Sequence, residues 1–440
     1  MRATRLLFFI VLAAGIGNTV LRPEMENPYT LYRLLAPIGL LVVCAANAPL
    51  AVKAIGAFLV FTLYNVVLAT AYGGDYSQLL PSLVHYLYLF IPLVMMLHLR
   101  ARDTGFDNAF LRFAAYFYVF LLANLLLEMA VGSYYPNLSP DDSEDGSVRA
   151  FFWNQNDLAV VLCVIAWFAL TLDRYRGPVR GIVVLVTVWL LYLNDSKAAL
   201  ISLLVFSLPV YGILRASAAA RIPTAVWAGI AAGLVGIAVS FAIAISDVPI
   251  QFANDVDYSV GDLLLQPIAN ILSLEASGED LGSLNNRTDA AIFVLIEYMR
   301  SYGFGLGAGG SWLVLTLPQY QLGGAQSPHN ALLQFIVDFG YPVLLGYIAL
   351  VIWALRRLFR HGLPEGERLK VMAILSFPML GLSQSGAIVT NYFFFTSVYF
   401  IWLVGPRVLR RPRRAPTANA ARPLPSRPAS PVALPSPAGR

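Results

Sequence analysis

Three basic side chains in this 440-residue chain stand where binding of a phosphate and removal of a proton are easiest to support. They are Lys197 in LNDSKAALIS, Arg287 in NNRTDAA and His329 in SPHNALLQF. Each lies at or near the start of an expected helix. The free N–H groups and positive dipole end of a helix N-terminus favour an anion such as phosphate. A fixed cation there is mildly penalised, and it gains when it meets an anion. A guanidinium and an ammonium converging with such helix ends make a diphosphate site. The same dipole favours the neutral form of an imidazole, and neutral imidazole can take a proton from a hydroxyl.

Each residue also has a plainer use. Lys197 suits an interfacial lysine whose stem lies along apolar surface. Arg287 suits a solvated loop, and His329 suits a cap behind Ser327 and Pro328. Arg300 is either a third diphosphate cation or an anchor to lipid headgroups. Asn154, Asn156 and Asp157 in FFWNQNDLA either bind sugar hydroxyls or cap the helix they open. Asn330 stands beside His329. Asp338 follows about two turns along the same helix, at a depth where an acid must face protein or water. It either orients a polar group near the site or pairs structurally.

Other chemistries leave no trace. Asp255 and Asp257 form an Asp-x-Asp, too short a match to carry a metal site. No His/Cys cluster has zinc spacing, and no P-loop or dinucleotide fingerprint is present. Neither metal nor cofactor is expected. Cys44 and Cys163 lie in apolar runs and read as small buried hydrophobes.

The elements that must position these residues are membrane helices. The chain is 58% hydrophobic and only 12% charged, with mean hydropathy +0.67. Soluble domains carry about twice that charge fraction. Apolar runs recur along the chain and set about twelve expected spans. They are 6–20, 34–48, 54–72, 79–99, 113–131, 157–172, 181–193, 198–214, 223–245, 331–355, 370–386 and 391–405. The first resembles a signal peptide in its basic start, but the charge pattern works with it retained.

With both termini cytoplasmic, all but Arg22, Arg33, Arg149, Lys197, Arg287 and Arg300 of the 30 Lys and Arg fall inside. The acidic stretch DDSEDG (141–146) falls outside. That asymmetry is the positive-inside pattern. The net charge of +5 is therefore topological, and no nucleic acid is expected as a partner. Arg22, Arg33 and Arg149 read as interface anchors.

Two segments differ from short loops. Residues 246–330 form one external segment, far longer than a usual connection. TDAAIFVLIEYM (288–299) has helical character with Thr288 as a plausible cap, and GFGLGAGG (303–310) reads as a close-packed or flexible turn. The segment is expected to fold as a cap. Residues 406–440, rich in Pro, Ala and Arg, read as a disordered cytoplasmic tail after a membrane domain over 1–405.

These pieces in this order resemble the O-antigen ligase and polymerase family of integral-membrane glycosyltransferases. The stretches that carry the resemblance are WNQNDLA, NDSKAAL, NNRTDAAIFVLIEYMRSYGFGLGAGGSW and SPHNALLQFIVDFGYPVLLGY. It covers roughly 150–350, and the first five spans match only as generic apolar helices. It implies an all-α polytopic fold of GT-C-like type, with about twelve spans and one large, partly helical periplasmic loop. It implies a place in the bacterial inner membrane with the site facing the periplasm.

The implied reaction is a metal-independent, inverting transfer from a polyprenyl-diphosphate-linked glycan. The acceptor is lipid A–core in a ligase and another lipid-linked glycan in a polymerase. His329 would deprotonate the acceptor hydroxyl and Arg287 would hold the leaving diphosphate. Lys197 falls where many members carry a second Arg, a departure that loses the bidentate fork. Ligation is slightly preferred over polymerisation. Two other classes stay open: a transporter or flippase for lipid-linked sugars, which would need deep ionisable residues and symmetric halves, and a non-catalytic assembly partner, which would tolerate loss of His329 and Arg287.

Overall fold

A computed structural model describes residues 2–20, 31–71, 76–131, 150, 152, 155–175, 177–194, 196–218, 250–251, 257–258, 290, 294–315, 330–381 and 391–404. All of them belong to one unit, Met1–Leu409. The expected ninth span (223–245), most of the external segment and the tail 406–440 lie outside the described residues.

The described chain is helical apart from one two-residue antiparallel pairing, Ile250–Gln251 with Asp257–Tyr258. The first nine helices are α1 (Arg2–Val20), α2 (Leu31–Ala46), α3 (Ala48–Ala71), α4 (Tyr76–Arg102), α5 (Phe106–Val131), α6 (Gln155–Thr171), α7 (Pro178–Leu193), α8 (Lys197–Ile201) and α9 (Leu208–Ala218). A π-helical turn, Ser202–Ser207, joins α8 to α9. After a helical stretch at 294–300 come α10 (Gly310–Leu315), α11 (Ala331–Phe339), α12 (Tyr341–Leu358), α13 (Glu365–Gly381) and α14 (Tyr392–Leu403).

Five described helices are long and apolar enough to cross a membrane: Ala48–Ala71, Leu79–Arg102, Phe106–Val131, Lys197–Ala216 and Tyr341–Leu358. Leu31–Ala46, Asn156–Thr171, Pro178–Leu193 and Tyr392–Leu403 are shorter apolar helices. The protein is thus a helical, multi-pass membrane protein. Its outer faces are hydrocarbon: Leu59, Val60 and Leu63 of α3 and Val119 and Phe120 of α5 are all exposed. That surface is stable only with lipid as its solvent. The centre is α6, buried on every face from Asp157 to Leu172. A helix apolar all round belongs in the interior of a bundle.

Polar contacts sort the helix ends into two sets. Ion pairs Arg5–Asp103 (3.0 Å), Arg100–Asp107 (2.9 Å), Arg357–Glu367 (2.9 Å) and Arg368–Asp173 (3.0 Å) tie the first set. Asp173 lies just past the C-terminus of α6. The N-terminus of α6 belongs to the second set, where amides, hydroxyls and carboxylates meet: Asp157–Asn391, Asn156–Ser196 and Glu128–Ala150.

Two expectations about the spans change. The run 331–355 is not one helix. It breaks at Gly340 into α11 and α12, and Gly340 adopts φ +69°. The break exists because the glycine loop 303–310 docks there. Leu306 N–H donates to Val337 O (2.9 Å), Gly307 N–H to Asp338 O (2.8 Å) and Tyr341 N–H to Gly303 O (2.9 Å). The expected span 198–214 is one continuous helix, Lys197–Ala216, but it carries the π turn within it. Ser207 Oγ bonds Ser202 O (3.0 Å) and Ser376 Oγ (2.9 Å), and Trp167 Nε1 donates to Ser207 Oγ (2.9 Å).

A Cβ on Gly340 would come within 2.0 Å of Phe304 O, at a backbone angle side chains rarely adopt. Gly340→Ala is therefore expected to cost about 3 kcal/mol, combining backbone strain and overpacking. Gly181→Ala, where a Cβ meets nothing within 4 Å, is expected to leave stability unchanged or raise it slightly. Thermal unfolding in detergent, followed by helical circular dichroism, measures both.

Candidate functional site

The N-termini of α6, α8, α11 and α14 gather at the second set of helix ends. Asp157 is 7% exposed, and its Oδ1 and backbone carbonyl accept from Asn391 Nδ2 at 3.3 and 3.2 Å. Asn391 in turn caps α14, its Oδ1 accepting from Phe394 N–H at 3.0 Å. Asn156 Oδ1 accepts from Ser196 Oγ at 3.5 Å, which joins the start of α6 to the start of α8. These carboxylate and amide groups of WNQNDLA hold helix starts together, Asp157 through Asn391 and Asn156 through Ser196.

Lys197 is the first residue of α8, and Ser196 before it makes no side-chain cap. Its level in the bundle follows from its neighbours. α6 and α8–α9 run parallel: Asn156 meets Ser196, Cys163 Sγ reaches Ala199 O (3.6 Å) and Trp167 reaches Ser207. α13 runs opposite, because its start pairs with Asp173 at the far end of α6. Ser202 Oγ donates to Ser376 O at 3.1 Å. Five residues back along α8 to Lys197 and five forward along α13 to Gly381 therefore climb the same distance, about 7.5 Å at 1.5 Å per residue. At Gly381, a Cβ would lie 3.3 Å from Ala331 Cβ. Lys197 thus shares a level with Ala331, the first residue of α11 and the second after His329.

Asn330 caps α11 itself, its Oδ1 accepting from Leu333 N–H at 3.0 Å. Asp338 has no exposed surface. Its Oδ1 accepts from Ser311 N–H (2.8 Å) and its Oδ2 from Gly309 N–H (3.3 Å) and Tyr86 O–H (3.5 Å). Of the two uses expected for this acid, it takes the structural one. It pins the glycine loop to α11, and Asn65 Oδ1 pins the same loop through Ala308 N–H at 2.6 Å.

Arg300 is exposed and pairs with Glu297 one turn back on its own helix. His329, Arg287 and Asn154 lie outside the described residues. Among the described residues, no group of three or more His, Cys, Asp or Glu is placed to share a metal ion.

Asn391, Ser196, Asn65 and Tyr86 were not expected at the site. Asn391 had a local signal, an amide directly before the apolar run YFFFTSVYF, which is a helix-start pattern. The others had none, since their partners come from distant helices.

Residues 182–348 match the family model described as O-antigen ligase. That stretch contains Lys197, Arg287, Arg300, His329, Asn330 and Asp338, and leaves out Asn154, Asn156 and Asp157. The chain is also 26% identical, over 278 residues, to the teichuronic acid biosynthesis protein TuaE of Bacillus subtilis (strain 168), covering 60% of this chain and 53% of that protein. It therefore spans about half the length of that relative.

Proposed function

We propose that this chain, whose residues 182–348 match the O-antigen ligase family model, is a glycosyltransferase of cell-surface polysaccharide synthesis. The donor is a glycan on a polyprenyl diphosphate, and the acceptor is a sugar hydroxyl presented at the outer face of the membrane. The full arrangement is about twelve spans in a GT-C-like bundle in the bacterial inner membrane. Both termini are cytoplasmic, and the second set of helix ends faces the periplasm.

The observation that supports this most directly is the shared level of Lys197 and the start of α11. On this reading Lys197 lies at the height of the helix whose cap, Asn330, follows His329. In the proposed step, His329 takes the proton as the acceptor oxygen bonds the anomeric carbon, from the face opposite the leaving group. The bond from that carbon to the diphosphate oxygen breaks, and the charge passes to the diphosphate. Arg287 and Lys197 receive it there. A diphosphate so held needs no general acid. Asp157, Asn156, Asn330 and Asp338 hold the helix starts and the loop that present these groups.

Ligation to lipid A–core is the first reading. Polymerisation of lipid-linked repeats is the second, kept because the relative is a teichuronic acid biosynthesis protein. The test is transfer by the purified full chain in nanodiscs, with EDTA present. It is supplied with a polyprenyl-diphosphate glycan and either lipid A–core or excess lipid-linked repeat. Product on the core establishes ligation, and lengthened lipid-linked chains establish polymerisation. Absence of both products, in preparations that still flip the lipid-linked glycan across vesicles, would replace the proposal with a transporter.

A further inference from the structure

An apolar face crosses from the glycine loop onto the start of a membrane span. The helical stretch 294–300 carries Leu295 and Met299 one turn apart on one side, and Glu297 and Arg300 on the other. Met299 is 74% exposed, and Tyr302, just past the stretch, is 78% exposed. Tyr302 holds φ +53°. A bulky side chain adopts that backbone angle only at a cost, and such residues gather where a side chain is used. Phe304 follows, also exposed, and its ring meets the Tyr341 ring edge-on at 5.8 Å.

These side chains are held firmly. Gly303 O accepts from Tyr341 N–H at 2.9 Å, and a Cβ on Gly303 would strike the Tyr341 ring. Tyr64 Oη, from α3, donates to Phe304 O (3.1 Å) and Phe339 O (2.8 Å). The patch is therefore fixed against α3 and α12, both long and apolar enough to cross a membrane.

Its height follows from α12. Tyr347 Oη donates to Ile374 O at 3.0 Å, and α12 and α13 run antiparallel from the turn closed by Arg357 and Glu367. Six residues back to Tyr341 and six forward to Leu380 climb about 9 Å each at 1.5 Å per residue. Tyr341 is thus level with Leu380, the neighbour of the Gly381 that meets Ala331. It stands at the second set of helix ends. From it, Leu345, Ile348, Ile352 and Leu355 continue along α12 as one exposed stripe at helical spacing. That stripe faces hydrocarbon, and the patch joins it through Tyr341.

We infer that residues 295–304 dock into the headgroup and upper acyl region of the lipid leaflet at this end of the bundle. This part of the loop segment then lies in the membrane surface and not above it. Continuity with the lipid-facing stripe selects lipid as the occupant. Tyrosine rings, apolar with a polar tip, favour that level. Leu295 and Met299 offer hydrocarbon to the acyl boundary, as the apolar face of an interfacial helix does. The exposed Arg300 stays on the polar side, at phosphate height. The inference holds whether or not the chain transfers glycan.

The experiment is power-saturation EPR on the full chain in nanodiscs of phosphatidylcholine and phosphatidylglycerol. A nitroxide is attached to one cysteine at a time: Met299→Cys, Tyr302→Cys, Leu345→Cys on the lipid-facing stripe and Arg360→Cys in the exposed turn after α12. The background is Cys44→Ala, since Cys163 has no exposed surface, and that background without an added cysteine is the blank. Oxygen concentrates in hydrocarbon, and nickel ethylenediaminediacetate stays in water. The ratio of the two collision rates at 299 and 302 is expected to exceed that at 360 by about fivefold and to approach that at 345, as for side chains at the acyl boundary.

A ratio at 299 and 302 equal to that at 360 overturns the inference and leaves the patch facing water. Low collision rates with both reagents, with dipolar broadening that vanishes on dilution by unlabelled chain, overturn it in favour of a second copy. All four positions are exposed, so labelling should leave the unfolding midpoint unchanged. A variant whose midpoint falls is replaced by Leu295→Cys, on the same face. The readout is position and not transfer, so it stands or falls apart from the glycosyltransferase reading.

Discussion

His329→Ala is expected to lower glycosyl transfer by about 10²–10⁴-fold at neutral pH, the usual worth of a positioned general base. The thermal unfolding midpoint should not move measurably. The two halves of that expectation come from different places. The kinetic half comes from the reaction: a sugar hydroxyl is a poor nucleophile until its proton has somewhere to go, and no other imidazole lies in the segment matched to the family. The stability half comes from the geometry of α11. Its first turn is already capped by Asn330, whose side chain accepts from Leu333 N–H. Removing the imidazole one residue earlier leaves that cap in place. Asn330→Ala should show the opposite signature, a stability loss of about 1 kcal/mol for a lost cap. Initial rates and unfolding midpoints on the same preparations separate the two. Transfer by His329→Ala within about threefold of the parent would remove the base assignment.

How much of this was legible in the sequence depends on whether a residue's partner is near it in the chain. The apolar runs and the charge bias gave a helical membrane bundle, because lipid demands long uncharged helices and reads the result as composition. The caps at Asn330 and Asn391 were also legible, since each amide directly precedes the run it caps. The break in α11–α12 left a signal that the apolar run concealed. Gly340-Tyr341-Pro342 is a stop followed by a start, with proline in the first turn of the new helix. Read only for hydrophobicity, FIVDFGYPVLLGY is continuous. The same oversight made Asp338 look like an acid deep in a membrane span. It lies on a short helix before the span, and its oxygens are spent on Gly309 and Ser311.

The remaining features had no local signature. Asp157 meets a residue 234 positions away. The π turn at Ser202–Ser207 depends on Trp167 and Ser376, which belong to other helices. Such a turn inserts an extra residue per turn and rotates whatever precedes it, and π segments gather at functional sites for that reason. Here the residue it re-aims is Lys197, one turn upstream.

Arg287→Ala is expected to lower transfer by about 10²–10³-fold, the usual cost of removing one donor to a developing oxyanion. The loss should fall mainly on kcat. A diphosphate diester carries part of its charge before the reaction and gains the rest as the anomeric carbon–oxygen bond breaks, so a guanidinium aimed at the departing oxygen interacts most strongly in the transition state. Lys197 sharpens the expectation. It stands level with the start of α11 and supplies a charge without the planar fork, so the bidentate contact to phosphate falls to Arg287. Arg287→Lys should then recover only part of the rate. Lys197→Arg should at most modestly raise it, because the fork it adds duplicates one already present. The double variant Arg287→Lys with Lys197→Arg exchanges the two chemistries. If charge alone matters, it transfers as the parent does. If the fork must lie at position 287, it stays near the Arg287→Lys level, and steady-state kcat and KM on the lipid-linked donor distinguish these outcomes.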